Sequence, residues 1–554
     1  MQRSMSDNSR REPCRGVRRL TVILGAGLPV RSLLIGLFVL LFALMVFGSA
    51  HILAPPAALA AEAPAGDELL AAAQQLQTKY AGAVEELARW CESKGLHEQA
   101  AKTRAWRRSY DPYKVYVYLL PHEVTPFDPP AGATPDVVEW NRRFTELRKQ
   151  QAAALYELAK RCIRGRRASL AYELVLAAGR EDPENEAVRR VFGFQKGRDG
   201  WYTAYEQRKL RAGQVWHDRF GWIPKTFVKR YEEGQRYSDN RWVSAEFDAK
   251  SRRDIKNGWE IETEHYNIRT NHSLEAGVAL GVKLERFYRI WSQLFVRYYA
   301  SEASVAALFD GRAKPPAVEP PKLAVMYFRD REDYLNALRT SVPNVEISVG
   351  TYLANTQCAY FFAGDQSDDR TLYHEATHQL FHQSRPVAAN VGRNASFWII
   401  EGIALYMESL RPEGEYWVLG GQDDIRMEAA RVRVLRDRFY VPFAEMTGYG
   451  MERLQAHPQI ATLYSQMAGQ THFLVCYDQG KYRDALVSYL SSVYSGNEDP
   501  AALAKLIGET YLTLDKQYLE FIVEAEKAEQ ARKKALEGAK PSAAAESGAP
   551  KKAR

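Results

Sequence analysis

The chain has 554 residues, 46% of them hydrophobic and 26% charged. That is an ordinary globular composition and too much chain for a single core. The formal net charge of +7 is concentrated at one end: residues 1–60 carry Arg3, Arg10, Arg11, Arg15, Arg18, Arg19 and Arg31 against Asp7 and Glu12, leaving 68 basic and 66 acidic residues elsewhere. So nearly neutral a body argues against a nucleic-acid binder.

Residues 1–60 read as a targeting segment. A basic stretch precedes LLIGLFVLLFALMVF, residues 33–47, which carries no charge. Fifteen apolar residues suit a signal-peptide core better than a membrane span of about 20. Ala58-Leu59-Ala60 fits a cleavage site. The long basic region, and the distance from the apolar core to that site, fit instead an uncleaved anchor over 33–54. Both readings keep the arginines inside and put the remainder outside the cytoplasm, in the periplasm, in the envelope or secreted. Membrane contact is expected through this segment alone. Beyond Cys14 the cysteines are Cys91, Cys162, Cys358 and Cys476. Export would permit disulfides, and buried free thiols are the competing reading.

Residues 61–198 are expected to form a helical domain, with apolar positions at helical spacing and Gly95 as a break. ELARWC (86–91) is echoed by ELAKRC (157–162), and a short break and an Ala-rich second helix follow each. Two readings stand, tetratricopeptide-like hairpins open to a protein partner or a plain helical domain. Residues 199–258 hold many aromatic and basic residues, and five of the eleven tryptophans fall between Trp201 and Trp259. Such rings can line a glycan or peptide groove. The core of a small β-rich linking domain is the favoured reading.

A catalytic domain is expected over 259–525. WEIETEHYNIRT alternates like a strand, and residues 274–299 read as one long amphipathic helix. KLAVMYF (322–328) is a strand, Asp330 caps the helix that follows, and one or two more strands surround Asn355. Helices continue to about 525. The tail, 526–554, is Ala- and Lys-rich and expected to be disordered, above all beyond Gly538.

The chemistry lies in LYHEATHQLFH, residues 372–382. On a helix, His374 and His378 share one face and Glu375 lies beside them. That spacing offers two zinc ligands and a general base. His382 is about 12 Å along the axis from His374, too far to share the ion. FWIIEGIALYMES, residues 397–409, offers Glu401 from a second helix, completing a His₂Glu set for one zinc per chain. Small Gly402 and Ala404 would let this helix pack closely on the first. Glu408 stands roughly 10 Å further along, at the surface or behind the ligands.

HEATH followed by W-x-x-E-G-x-A resembles the gluzincin metallopeptidases. Trp398, Glu401, Gly402 and Ala404 are similar to an element of aminopeptidase N-like enzymes, which usually have Asn where this chain has Ile400. The Y-H-E-x-x-H-x-L-F and E-G-x-A-x-Y-x-E patterns are closer to peptidase-MA-like bacterial domains of unknown function. Zincins with a third histidine have glycine where Phe381 stands, and their histidine where Ser384 stands. The resemblance implies an α+β, mostly helical fold, with a zincin-like catalytic domain built on a small sheet, an active-site helix and C-terminal helices. It also implies an oxyanion donor on a later helix, at Tyr464 or alternatively His472. The expected activity is hydrolysis of peptide bonds in a peptide or protein by metal-activated water, with Glu375 as base. The alternative is a non-catalytic zinc-containing envelope scaffold acting through its helical repeats.

Overall fold

The computed structural model describes residues 65–538 apart from 108–109, 314–319, 343–344 and 365–368. The targeting segment and the tail beyond Gly538 lie outside the described residues. The described chain is mostly helical with small mixed sheets. None of its helices is long and apolar enough to cross a membrane.

The sequence echo is a structural one. The helix Ala65–Ser93 turns back at Gly95 (φ 70) into His97–Ala105, and Pro135–Arg164 turns back at Arg166 (φ 58) into Ala168–Glu181. In each turn the echoed cysteine's carbonyl accepts an N–H five residues on: Leu96 N to Cys91 O and Arg167 N to Cys162 O, both 2.8 Å. This closes the helix end through a left-handed residue. The hairpins are lopsided, with 29 and 30 residues outward and 9 and 14 back. They therefore form no clear array of equal helix pairs. The four cysteines among the described residues are free and buried.

Strand β1 (Lys114–Val117) lies between the two hairpins. The aromatic region then forms three successive two-stranded hairpins rather than one sheet: β2 (Gln195–Lys196) with β3 (Trp201–Tyr202), β4 (Gln214–His217) with β5 (Gly221–Pro224), and β6 (Gln235–Ser238) with β7 (Arg241–Ser244). A short helix follows each. Strands this short cannot build a shared core, so the rings pack on their nearest neighbours: Trp222 on Trp216 at 5.8 Å, Trp242 on Phe227 at 4.8 Å.

The sheet that carries the site comprises β8 (Trp259–Glu262), β9 (Tyr266–Thr270), β10 (Leu323–Phe328), β11 (Thr351–Leu353) and β12 (Cys358–Phe362), in the order β11-β12-β10-β9-β8. The three central strands are parallel and both edges antiparallel. The alternating stretch expected as one strand is two. The chain folds back between β8 and β9 because the Glu285 carboxylate gathers Thr263 Oγ1 and the His265 N–H, both at 2.6 Å. The long helix ends at Leu294, not 299. Phe295 (φ −117, ψ 28) breaks it and packs 5.0 Å from Phe381. β13 (Arg411–Glu413) and β14 (Tyr416–Gly420) complete a second sheet, in which β14 pairs with β1. Val115 and Val117 thereby join the main core, with the motif helix and the C-terminal helices.

The last helix, Tyr511–Gly538, continues past the expected boundary at 525. Ala, Lys and Glu favour helix, and this one is anchored: Glu526 pairs with Arg431 at 3.0 Å and Glu529 is buried.

Candidate metal centre

The motif lies on the helix Asp369–Gln383, where every residue from Thr371 to Phe381 is buried. Burial on all sides takes polar residues such as Thr377 and Gln379 into the core with the apolar ones, and the helix is fixed at several points. Gln379 Nε2 donates to Ala324 O of β10 (2.9 Å), the Tyr373 ring stacks on Phe287 at 4.9 Å, and the Tyr298 hydroxyl donates to Phe381 O.

The second helix, Phe397–Met407, brings Glu401 to this face. Gly402 serves a different contact from the one expected. A Cβ there would stand 2.5 Å from Thr471 Oγ1 and 3.2 Å from Met467 O. The glycine therefore admits the helix Ile460–Gly480, which carries Tyr464, rather than the motif helix.

His374, His378 and Glu401 place one ligand atom each within 4.8 Å of one another. The Nε2 atoms of the two histidines are 3.2 Å apart. From them to the Glu401 oxygens the distances are 3.7 and 3.8 Å. Two nitrogens bound to one tetrahedral zinc at about 2.0–2.1 Å would be roughly 3.4 Å apart. Glu401 Oε2 is buried and has no hydrogen-bond partner among the described residues. Two imidazole lone pairs facing each other across a carboxylate oxygen without a donor are a donor set that a divalent cation satisfies. The residues therefore fit zinc. His382 lies outside the cluster, as its axial distance predicts.

Electrostatics sort the groups further. Burial and the neighbouring His374 hold His378 well below its usual range, so its ring is neutral. Burial also disfavours charge on His374, but the Glu408 hydrogen bond and the Glu375 and Glu401 carboxylates outweigh it and push this ring up to about 9. Burial raises Glu401, against the pull of His374 and a hydrogen bond from Tyr464. Burial likewise pushes Glu375 up to about 8. Its Oε2 accepts the Tyr352 N–H of β11 at 2.8 Å, while Oε1 is buried with no partner. One oxygen is tethered and the other is free to take a proton.

The His374–Glu375–x–x–His378 and Glu401 cluster is consistent with an HExxH-type gluzincin zinc-binding site and supports a zinc-dependent hydrolase active site. Comparisons with protein-family models, curated proteins and solved structures give no match. The assignment therefore rests on the site itself.

Tyr464 is buried and hydrogen-bonded to Glu401, and burial holds its hydroxyl protonated. His472 belongs to a different place. Its Nε2 meets Tyr113 O at 2.7 Å, its ring packs against Tyr406 and Phe521, and burial lowers it to about 4. It is a core histidine, not a donor at the metal centre.

Glu408 stands behind the ligands. It is 4% exposed, and its Oε1 meets His374 Nδ1 at 2.9 Å. Arg426 donates to both its oxygens (2.8 and 3.1 Å) and Arg370 lies 3.8 Å away. Arg370 in turn pairs with Asp424 at 3.0 Å. A carboxylate on the far nitrogen fixes the histidine's tautomer and aims the other nitrogen at the metal. Arg426 and Asp424 arrive from the start of the helix Ile425–Leu435, after β14, so spacing within the motif could not reveal them; Arg370 lies on the motif helix itself, one turn before His374. Nor did any sequence signal mark the Tyr352 N–H.

Proposed function

We propose that the protein is an exported zinc-dependent peptidase. The observation that carries the reading is Glu375, with one oxygen tethered to β11 and the other unpartnered beside the His374–His378–Glu401 cluster. When bound, zinc supplies Lewis acidity, acidifying water and polarising a carbonyl. Glu375 Oε1 takes the proton from the attacking water. It then passes that proton to the leaving amine. The Tyr464 hydroxyl, which donates to Glu401 in this structure, would turn from that carboxylate to the developing oxyanion. A peptide substrate is supported by the HExxH arrangement with Glu401 downstream, the pattern of metallopeptidase sites. Export is supported by the arginine-rich segment and apolar run of residues 1–60.

The test is zinc content and hydrolysis of a denatured protein substrate, measured on the chain and two variants. The His374→Ala/His378→Ala variant should lose zinc and turnover together. Glu375→Gln should keep about one zinc per chain and lose at least about 100-fold in rate. Full activity in Glu375→Gln would sink the mechanism, and zinc retained in the double variant would sink the site.

A further inference from the structure

A cavity of about 590 Å³ lies between the N-terminal helices and β1. Its size is that of a small-ligand site, and none of its lining residues belongs to the metal centre. The floor is apolar, from Leu70, Leu155 and Leu174. Four glutamines, Gln74, Gln77, Gln151 and Gln479, reach it from three parts of the chain. Gln151 is only 7% exposed as a residue, and its amide has no protein partner among the described residues and opens to the cavity. A ligand in the cavity can therefore reach both its donor and its acceptor.

The lining charges are largely spoken for. Arg180 pairs with Glu415 at 2.6 Å and Glu173 with Arg483 at 2.7 Å. Glu181 accepts from Tyr80 (2.8 Å) and from Trp106 (2.9 Å). Arg107, at the exposed rim, is the lining cation without an ion pair among the described residues. The interior therefore suits an uncharged ligand. The Trp106 ring is covered by the guanidinium groups of Arg148 and Arg180, each 4.0 Å from its centroid. Tyr80, Tyr110, Tyr116, Tyr118 and Tyr416 also line the cavity and add aromatic surface that bulky apolar side chains can pack against. The cavity thus offers an apolar and aromatic floor beside planar amides. Each amide carries a donor and an acceptor side by side, the complement of a backbone peptide group.

We propose that this cavity docks a short, uncharged peptide segment with bulky apolar side chains, its backbone hydrogen-bonded to the glutamine amides. The inference does not rest on the metal centre, and the two fail separately.

The test uses the full chain carrying Glu375→Gln and a fluorescent mixture of acetylated, amidated pentapeptides built from Leu, Phe, Tyr, Ala and Gly. Saturable binding is expected. It should weaken about tenfold, the equivalent of one or two hydrogen bonds, in Gln151→Leu and in Gln74→Ala/Gln77→Ala. The latter pair is exposed at the rim, so that variant folds even where Gln151→Leu does not. Adding His374→Ala/His378→Ala should leave this binding unchanged. The proposal is overturned by peptide binding that only the metal-site variant abolishes, by displacement of peptide with cellotriose, or by no binding at all.

Discussion

Glu408→Gln separates a histidine held by a carboxylate from one held by packing. Glu408 accepts from His374 Nδ1 at 2.9 Å and from Arg426 at 2.8 and 3.1 Å. A glutamine of the same shape has one acceptor oxygen for these donors, and it turns an N–H₂ toward one of them. If the oxygen stays with Arg426, the His374 Nδ1–H loses its acceptor and the ring loses its aim. If it stays with His374, the Arg426 guanidinium is left half-buried beside an amide. The first outcome acts on the metal. Replacing such a partner weakens binding about 10–100-fold, or roughly 1.4–2.7 kcal/mol. The second acts on stability, because breaking a buried charged pair costs about 3–5 kcal/mol, less here because Arg426 is partly exposed. The assay is zinc affinity by competition with a chelator of known strength, beside a chemical denaturation of the metal-free protein. Affinity within twofold of the unaltered chain, in a variant of unchanged stability, would refute the orienting role.

Tyr464→Phe should retain zinc and lower turnover by about 100–1,000-fold, the worth of one oxyanion donor, seen as a fall in kcat with little change in KM. Gly402→Ala forces a methyl into the 2.5 Å gap before Thr471 Oγ1. It should destabilise the fold by about 1–3 kcal/mol and weaken zinc binding, since the helices it separates carry Glu401 and Tyr464. The pH dependence of the metal-free protein has a definite sign. His374 is raised from 6.5 to about 9 and Glu375 from 4.5 to about 8. In both cases the folded state holds a proton that the unfolded state has released, so stability falls as pH rises from about 6 to 9. Zinc competes with those protons and loads better over the same interval. Melting temperature with chelator should therefore fall from pH 6 to 9, and the increment from added zinc should grow; a flat chelator series would contradict the assignment.

The metal centre was legible because its chemistry is local. His374, Glu375 and His378 need only one helical turn, and the EGxA element marks Glu401 wherever the loop between the helices leads. The parts that escaped depend on how helices cross. Gly402 signals a close approach but not to which neighbour, and the structure assigns it to Thr471. Axial distance kept Glu408 off the metal correctly, yet could not show that its side chain reaches the far nitrogen of His374. Phe295 breaks an amphipathic pattern whose period continues through it, because the partner that decides, Phe381, is distant in sequence. The three small hairpins were obscured by their aromatic content, which reads as one core. The spacing of Gly193, Gly213 and Gly234, each in the left-handed region ahead of a hairpin, was the available signal.

The pairing of β1 with β14 bears on how the molecule is assembled. Lys114 meets Gly420 and Val117 meets Trp417, closing a loop of about 300 residues whose entropy cost is roughly 5 kcal/mol by the logarithmic law. During synthesis β1 emerges early and waits for most of the remaining chain before its partner exists. Contacts this distant in sequence slow folding. The N-terminal hairpins are therefore expected to form first and the second sheet late. A fragment cut between residues 200 and 258 would leave each half with an unpaired strand edge, the kind of surface that pairs with the wrong chain.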